Sequence, residues 1–97
     1  MARPYCPRLV RGEPDVVYFK PAGIPLRDLK EETLTIDQYE AIRLADSEGL
    51  DQVEAARRMG ISRQTFGRIL QSARKKVALF LTHGTALRIE GGPVIQR

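Results

Sequence analysis

The sequence predicts a mainly α domain: three helices, the last two joined by a tight turn, with two short β-strands flanking them. Three observations carry this. Apolar residues recur at helical spacing through three stretches from Thr35 onward. Each stretch opens on a residue able to cap a helix (Thr35, Asp51, Ser62) and closes on a glycine (Gly49, Gly60, Gly84). Two stretches outside them, 16–20 and 86–90, carry β-branched residues or simple alternation and read as strands.

At 97 residues the chain has the length of one domain with a modest core. Residues 1–14 hold three prolines and three arginines and read as a basic extended arm. Residues 15–90 form the domain, and 91–97 a tail after Gly91-Gly92-Pro93. Within the domain, Val16-Val17-Tyr18-Phe19 is β-branched and aromatic and predicts the first strand. Pro21-Ala22-Gly23-Ile24-Pro25 breaks it.

The first helix should start at Thr35. Thr35 and Gln38 have the spacing of a capping box, and Leu34 and Tyr39 that of a hydrophobic staple. Ile36, Tyr39 and Ile42 continue the helical period to a stop at Gly49. The second helix is short: Asp51 caps it, Val53, Ala56 and Met59 form its inner face, and Gly60 ends it. Ser62 restarts the chain at once, with Ile61 and Phe66 placed to staple across that cap.

The third helix should run from about Arg63 to Thr82, roughly 30 Å at 1.5 Å per residue. Phe66, Ile69, Leu70, Ala73, Val77, Phe80 and Leu81 fall in one apolar stripe. Gln64, Arg68, Gln71 and Lys75 fall opposite. Ala86 to Glu90 alternates and predicts the second strand, which should pair with the first, either within the chain or across a dimer.

Charge is polarised. The net charge is only +4, but residues 57–76 carry Arg57, Arg58, Arg63, Arg68, Arg74, Lys75 and Lys76 and no acid. Residues 27–54 carry nine acids against three basic residues. The acidic block, notably Glu31, Glu32, Glu40, Glu48 and Glu54, reads as a solvated face turned away from the basic one. It could also meet a protein partner such as RNA polymerase.

A short helix, a tight turn at a residue tolerating positive φ, and a second helix with an apolar inner face make a helix-turn-helix. Within the candidate motif at about 51–76, the run from Gln52 to Gln71 satisfies that pattern without a gap. Its outward residues then set the chemistry. Gln64 and Gln71 suit adenine N6 and N7, and Arg63 and Arg68 suit guanine O6 and N7. Gln52, Ser62, Thr65, Lys75 and Arg57 suit backbone phosphates, helped by the positive end of the helix dipole. The expected partner is double-stranded DNA. A homodimer is expected too, because one recognition helix touches few base pairs. Its interface is placed at Val77 to Leu81.

The run from Leu50 to Ala56 and from Ser62 to Lys76 resembles the helix-turn-helix of sigma-factor region 4. More closely, the chain is similar to a family of small uncharacterised prokaryotic proteins for which DNA binding is predicted. The segments that carry this are Arg3-Pro4, Tyr18 to Leu26, Ile42 to Asp46, Ser62 to Leu70 and Ala86 to Gly92. The resemblance implies the same fold and, as for that family, DNA binding, but adds little biological detail. With no sigma region 2, it does not imply promoter melting.

Other classes find no support. No phosphate loop, nucleophile elbow or metal cluster is present, so neither an enzyme nor a cofactor is expected. Cys6 and His83 lie too far apart in sequence to read as a zinc site. No stretch nears the roughly 18 apolar residues of a membrane span. Met1-Ala2-Arg3-Pro4 is no signal-peptide core, so a cytoplasmic protein is expected. Arg3, Arg8 and Arg11 could form an arm reaching into a minor groove. Tyr18 and Phe19 should pack in the core.

Overall fold

The structure, a computed structural model, describes residues 7–96. Its elements are β1 (Arg8–Val10), β2 (Tyr18–Phe19), a 3-10 turn (Leu26–Asp28), β3 (Glu31–Leu34), α1 (Ile36–Ile42), α2 (Gln52–Met59), α3 (Arg63–His83), β4 (Ala86–Ile89) and β5 (Val94–Gln96). Three helices and short strands appear, as the patterning predicts.

The helix starts follow from their caps. Gln38 Oε1 accepts from the Thr35 backbone N–H at 3.0 Å, which is the reciprocal half of the capping box. Leu34 and Tyr39 fall in one apolar cluster across that start, as a staple requires. Asp51 Oδ1 accepts from Glu54 N at 2.9 Å, and Ser62 Oγ from Thr65 N at 3.1 Å. The first helix does not stay α to Gly49. After Ile42 the chain winds as a π-helical segment, Arg43–Ser47, in which Glu48 N bonds back to Arg43 O at 2.9 Å. Leu44, within that segment, is fully buried.

Two apolar clusters share α3. Its first half sets Phe66, Ile69 and Leu70 against Ala41, Leu44, Ala55, Ala56 and Met59. Its middle sets Ala73 against Leu34, Leu87 and Ile89, with Phe80 half-buried beside them. The long helix therefore spans both a helical layer and a sheet.

That sheet has order β2-β4-β3. β2 pairs antiparallel with β4, Tyr18 opposite Arg88, so the two predicted strands do pair within one chain. β3 pairs parallel with β4 on the other side, Glu31 opposite Ala86 and Leu34 opposite Ile89. Sequence patterning missed β3.

It also missed the second sheet, in which β1 and β5 pair parallel, Arg8 opposite Val94. This changes the reading of both ends. Residues 8–10 are not a free arm: Val10 is buried, and Arg8 Nε lies 3.7 Å from the buried carboxylate of Asp37. The Arg11 backbone N–H donates to Glu40 Oε2 at 3.1 Å. Arg3 and Cys6 lie outside the described residues. The tail is built in by the turn at Gly91 and Gly92. Ile36 N donates to Gly91 O at 2.9 Å, and Gly92, at φ +103°, leaves no room for a Cβ, which would stand 2.8 Å from Asp37 Oδ1. Chain start and chain end thus close together over the N-terminus of α1.

Tyr18 and Phe19 are at the sheet edge, not in the core. Phe19 is 44% exposed, and Tyr18 lies under the Arg88 guanidinium, 4.8 Å from its ring centre, while donating to Glu31 Oε2 at 2.7 Å. That bond to Glu31 pushes the Tyr18 hydroxyl pKa upward.

Candidate nucleic-acid interface

The junction between α2 and α3 is three residues long. Gly60 takes the left-handed conformation, φ 67° and ψ 32°, which places its N–H on Arg57 O and the Ile61 N–H on Ala56 O, both at 3.1 Å. The glycine also leaves space for Leu9 of β1, whose Cδ1 would be 3.4 Å from a Cβ there. The turn is thus braced from below, and α3 begins at an exposed Ser62.

The predicted contact residues occupy one surface. Arg63, Gln64, Arg68, Gln71 and Lys75 are all exposed along the first half of α3. At 100° per residue Gln64, Arg68, Gln71 and Lys75 fall on the side opposite Phe66, Ile69, Leu70 and Ala73, while Arg63 stands at the head of the helix to one side of them. Thr65 is half-buried. Ser62 gives its hydroxyl proton to Thr65 Oγ1 at 2.9 Å and accepts the Thr65 N–H, so capping already engages it. Gln52 is half-buried in the first turn of α2, and its Oε1 hangs over Gly67 of α3.

The basic block divides in two. Arg57 and Arg58 both clamp Glu54, Arg58 at 3.0 Å with Glu48 further off at 3.8 Å. Together they hold the Glu54 carboxyl down at about 2, Arg57 most strongly. Arg74 is bound to Asp46 at 2.6 Å, and Lys76 donates to Gln38 Oε1 at 3.1 Å. Arg63, Arg68 and Lys75 have no ion pair among the described residues. Arg68 and Lys75 lie on the face that carries Gln64 and Gln71, and Arg63 stands exposed at the head of the same helix. Arg57, placed by sequence among phosphate contacts, is instead tied to Glu54.

The acidic block is solvated only in part: Glu31 and Glu48 are exposed, but most of its members are tied to arginines. Glu40 is buried and holds Arg43 through two bonds of 2.8 and 2.9 Å. Arg43 also pairs with Glu48. Glu31 takes Arg88 at 3.1 Å, which with the Tyr18 hydroxyl keeps its carboxyl below the usual range. Glu54, Glu48 and Asp46 take Arg57, Arg58 and Arg74 out of the basic block, leaving the unpaired cations on α3. Runs of charge in a sequence do not say who pairs with whom, so this division was not readable there.

Among the described residues no group of three or more His, Cys, Asp or Glu side chains could hold a metal ion. No helix there is long and apolar enough to cross a membrane.

Comparison with known proteins places the chain in a family. The family described as "Protein of unknown function DUF134" matches residues 1–97. The chain belongs to that family. A UPF0251 protein of Desulfosudis oleivorans is 58% identical over 92 residues, covering 95% of this chain and 67% of that protein. A UPF0251 protein of Methanosarcina acetivorans is 53% identical over 94 residues, covering 97% of this chain and 84% of the other. No solved structure matches the chain significantly.

Proposed function

We propose that this protein binds double-stranded DNA sequence-specifically through a helix-turn-helix made by α2 and α3, and that it regulates transcription. One observation carries the reading: Arg68 and Lys75, unpaired by any carboxylate among the described residues, share the exposed face of α3 with Gln64 and Gln71, and Arg63, also unpaired, heads that helix. Unpaired cations attract phosphate, while Arg and Gln side chains match the donor and acceptor edges of guanine and adenine in the major groove. The αL turn at Gly60 and the short α2 supply the geometry that presents such a helix to a groove. A homodimer fits this reading, because half-sites repeated on the duplex multiply a small contact. The competing reading, docking on the transcription machinery through an acidic face, loses ground because Asp46, Glu48 and Glu54 are already paired with arginines.

The test is selection of bound sequences from a random duplex pool, then a salt titration on the winner. Arg68→Ala should weaken binding by about 1–3 kcal/mol and relax preference at one base pair. Absence of duplex binding at low salt, or unchanged affinity and preference in Arg68→Ala, refutes the groove assignment.

A further inference from the structure

Gly67 stands inside α3, three turns or fewer from every predicted contact residue, and helix interiors disfavour glycine. Nothing within the described residues requires it. Its backbone is ordinary right-handed helix, without positive φ. A Cβ added there would meet one atom within 4 Å, Gln52 Oε1 at 3.4 Å, which is ordinary van der Waals contact. Alanine therefore fits the fold. The surrounding surface is Arg63 and Gln71 one turn to either side and Gln64 at i−3, all exposed, with Arg74 a further turn on. The amide of Gln52 overhangs the same spot from α2. The missing side chain makes a notch between the two helices, floored by α3 backbone and rimmed by amides and guanidinium groups.

We infer that this notch at Gly67 seats a sugar–phosphate strand of the duplex, with Gln52 as its hydrogen-bonding rim, and that glycine is present to let the DNA backbone approach the helix. The inference rests on the DNA-binding reading above and deepens it by assigning Gly67 to close approach of phosphate and not to base recognition. Glycine is the residue that allows such an approach, because any Cβ would stand between helix and ligand.

The experiment compares wild type, Gly67→Ala and Gly67→Leu by thermal unfolding and by affinity for both a selected site and a random duplex. Removing a glycine from a helix interior should raise Tm by a few degrees, roughly as a small domain responds to a modest stabilisation. Affinity should fall about tenfold with alanine and further with leucine, by the same factor on both duplexes, since backbone contacts carry no sequence information. Alanine binding within about twofold of wild type overturns the inference while leaving the DNA reading intact. A lower Tm for alanine overturns it by making the glycine structural. Loss confined to the selected site overturns the backbone seat in favour of a base contact. Failure of the wild type to bind either duplex defeats the DNA reading itself and the inference with it.

Discussion

The Arg74 guanidinium sits 2.6 Å from Asp46 Oδ1, joining α3 to the π-helical turn after α1 across 28 positions of sequence. Arg74 holds the Asp46 carboxyl below the usual range. The pair is half exposed, so its contribution to stability is modest, on the order of 0–1 kcal/mol. Its larger consequence is that a cation next to the proposed DNA face is neutralised. Asp46→Asn should release it. Binding to random duplex should tighten, and the slope of log affinity against log salt should steepen by about 0.9 for one additional phosphate contact. An unchanged slope would mean that Arg74 cannot reach the duplex.

The carboxylates near α2 are linked in a chain of alternating charge: Glu40 to Arg43, Arg43 to Glu48, Glu48 to Arg58, Arg58 to Glu54. It runs from a buried residue to an exposed one. Glu40 is only 1% exposed and also accepts the Arg11 N–H, so it fixes the strand end at the chain's start as well as Arg43. Glu40→Ala would leave Arg43 largely buried without that partner. We expect a loss of about 3–5 kcal/mol in urea unfolding, the usual result of removing one member of a buried pair. A loss under about 1 kcal/mol would show that water replaces the carboxylate there.

The helices were legible in sequence because their signals are local. Asp51, Gly60 and Ser62 each act within four residues of themselves, and the structure uses each as its neighbours require. Strand β3 was not legible. Of Glu31, Glu32, Thr33 and Leu34 only Leu34 is buried, so no alternation marks it, and its partner β4 lies beyond all three helices. β1 and β5 were hidden for the same reason: three residues each, from opposite ends of the chain, joined only by tertiary contact. For the candidate site, periodicity placed Gln64, Arg68, Gln71 and Lys75 on one face, but only the three-dimensional structure separates the unpaired cations from Arg57, Arg58 and Arg74, which have carboxylate partners.

Acid should destabilise the fold in a defined window. Glu54 protonates near 4.5 when unfolded and at about 2 when clamped by Arg57 and Arg58. Between those values the unfolded chain binds a proton that the folded chain does not, so stability falls as pH drops through the interval and is fully present above it. Glu31 and Asp46 are shifted in the same direction by Arg88 and Arg74. All three lie at the surface, so added salt should shrink the effect. Urea midpoints measured from pH 6 to pH 2 should decline below about 4.5, and Glu54→Gln should decline less steeply. Identical curves for the two proteins would show that the Arg57 and Arg58 contacts do not persist in solution.

The far end of α3 tests the proposed dimer. Phe66, Ile69, Leu70 and Ala73 are buried, but the apolar stripe continues to Leu81, which is 69% exposed, and Val77, Leu79 and Phe80 are only half-buried. The helix therefore carries apolar surface beyond the part that the sheet covers. If a second copy covers it, Leu81→Arg places a charge in that contact while leaving Gln64, Arg68 and Gln71, more than two turns away, untouched. Sedimentation equilibrium should give twice the chain mass for wild type and the chain mass for Leu81→Arg, with helical circular dichroism unchanged. Affinity for a site with two half-sites should then fall steeply, and affinity for a single half-site should not change. An equal mass for both proteins would move the dimer contact away from Leu81 or remove it.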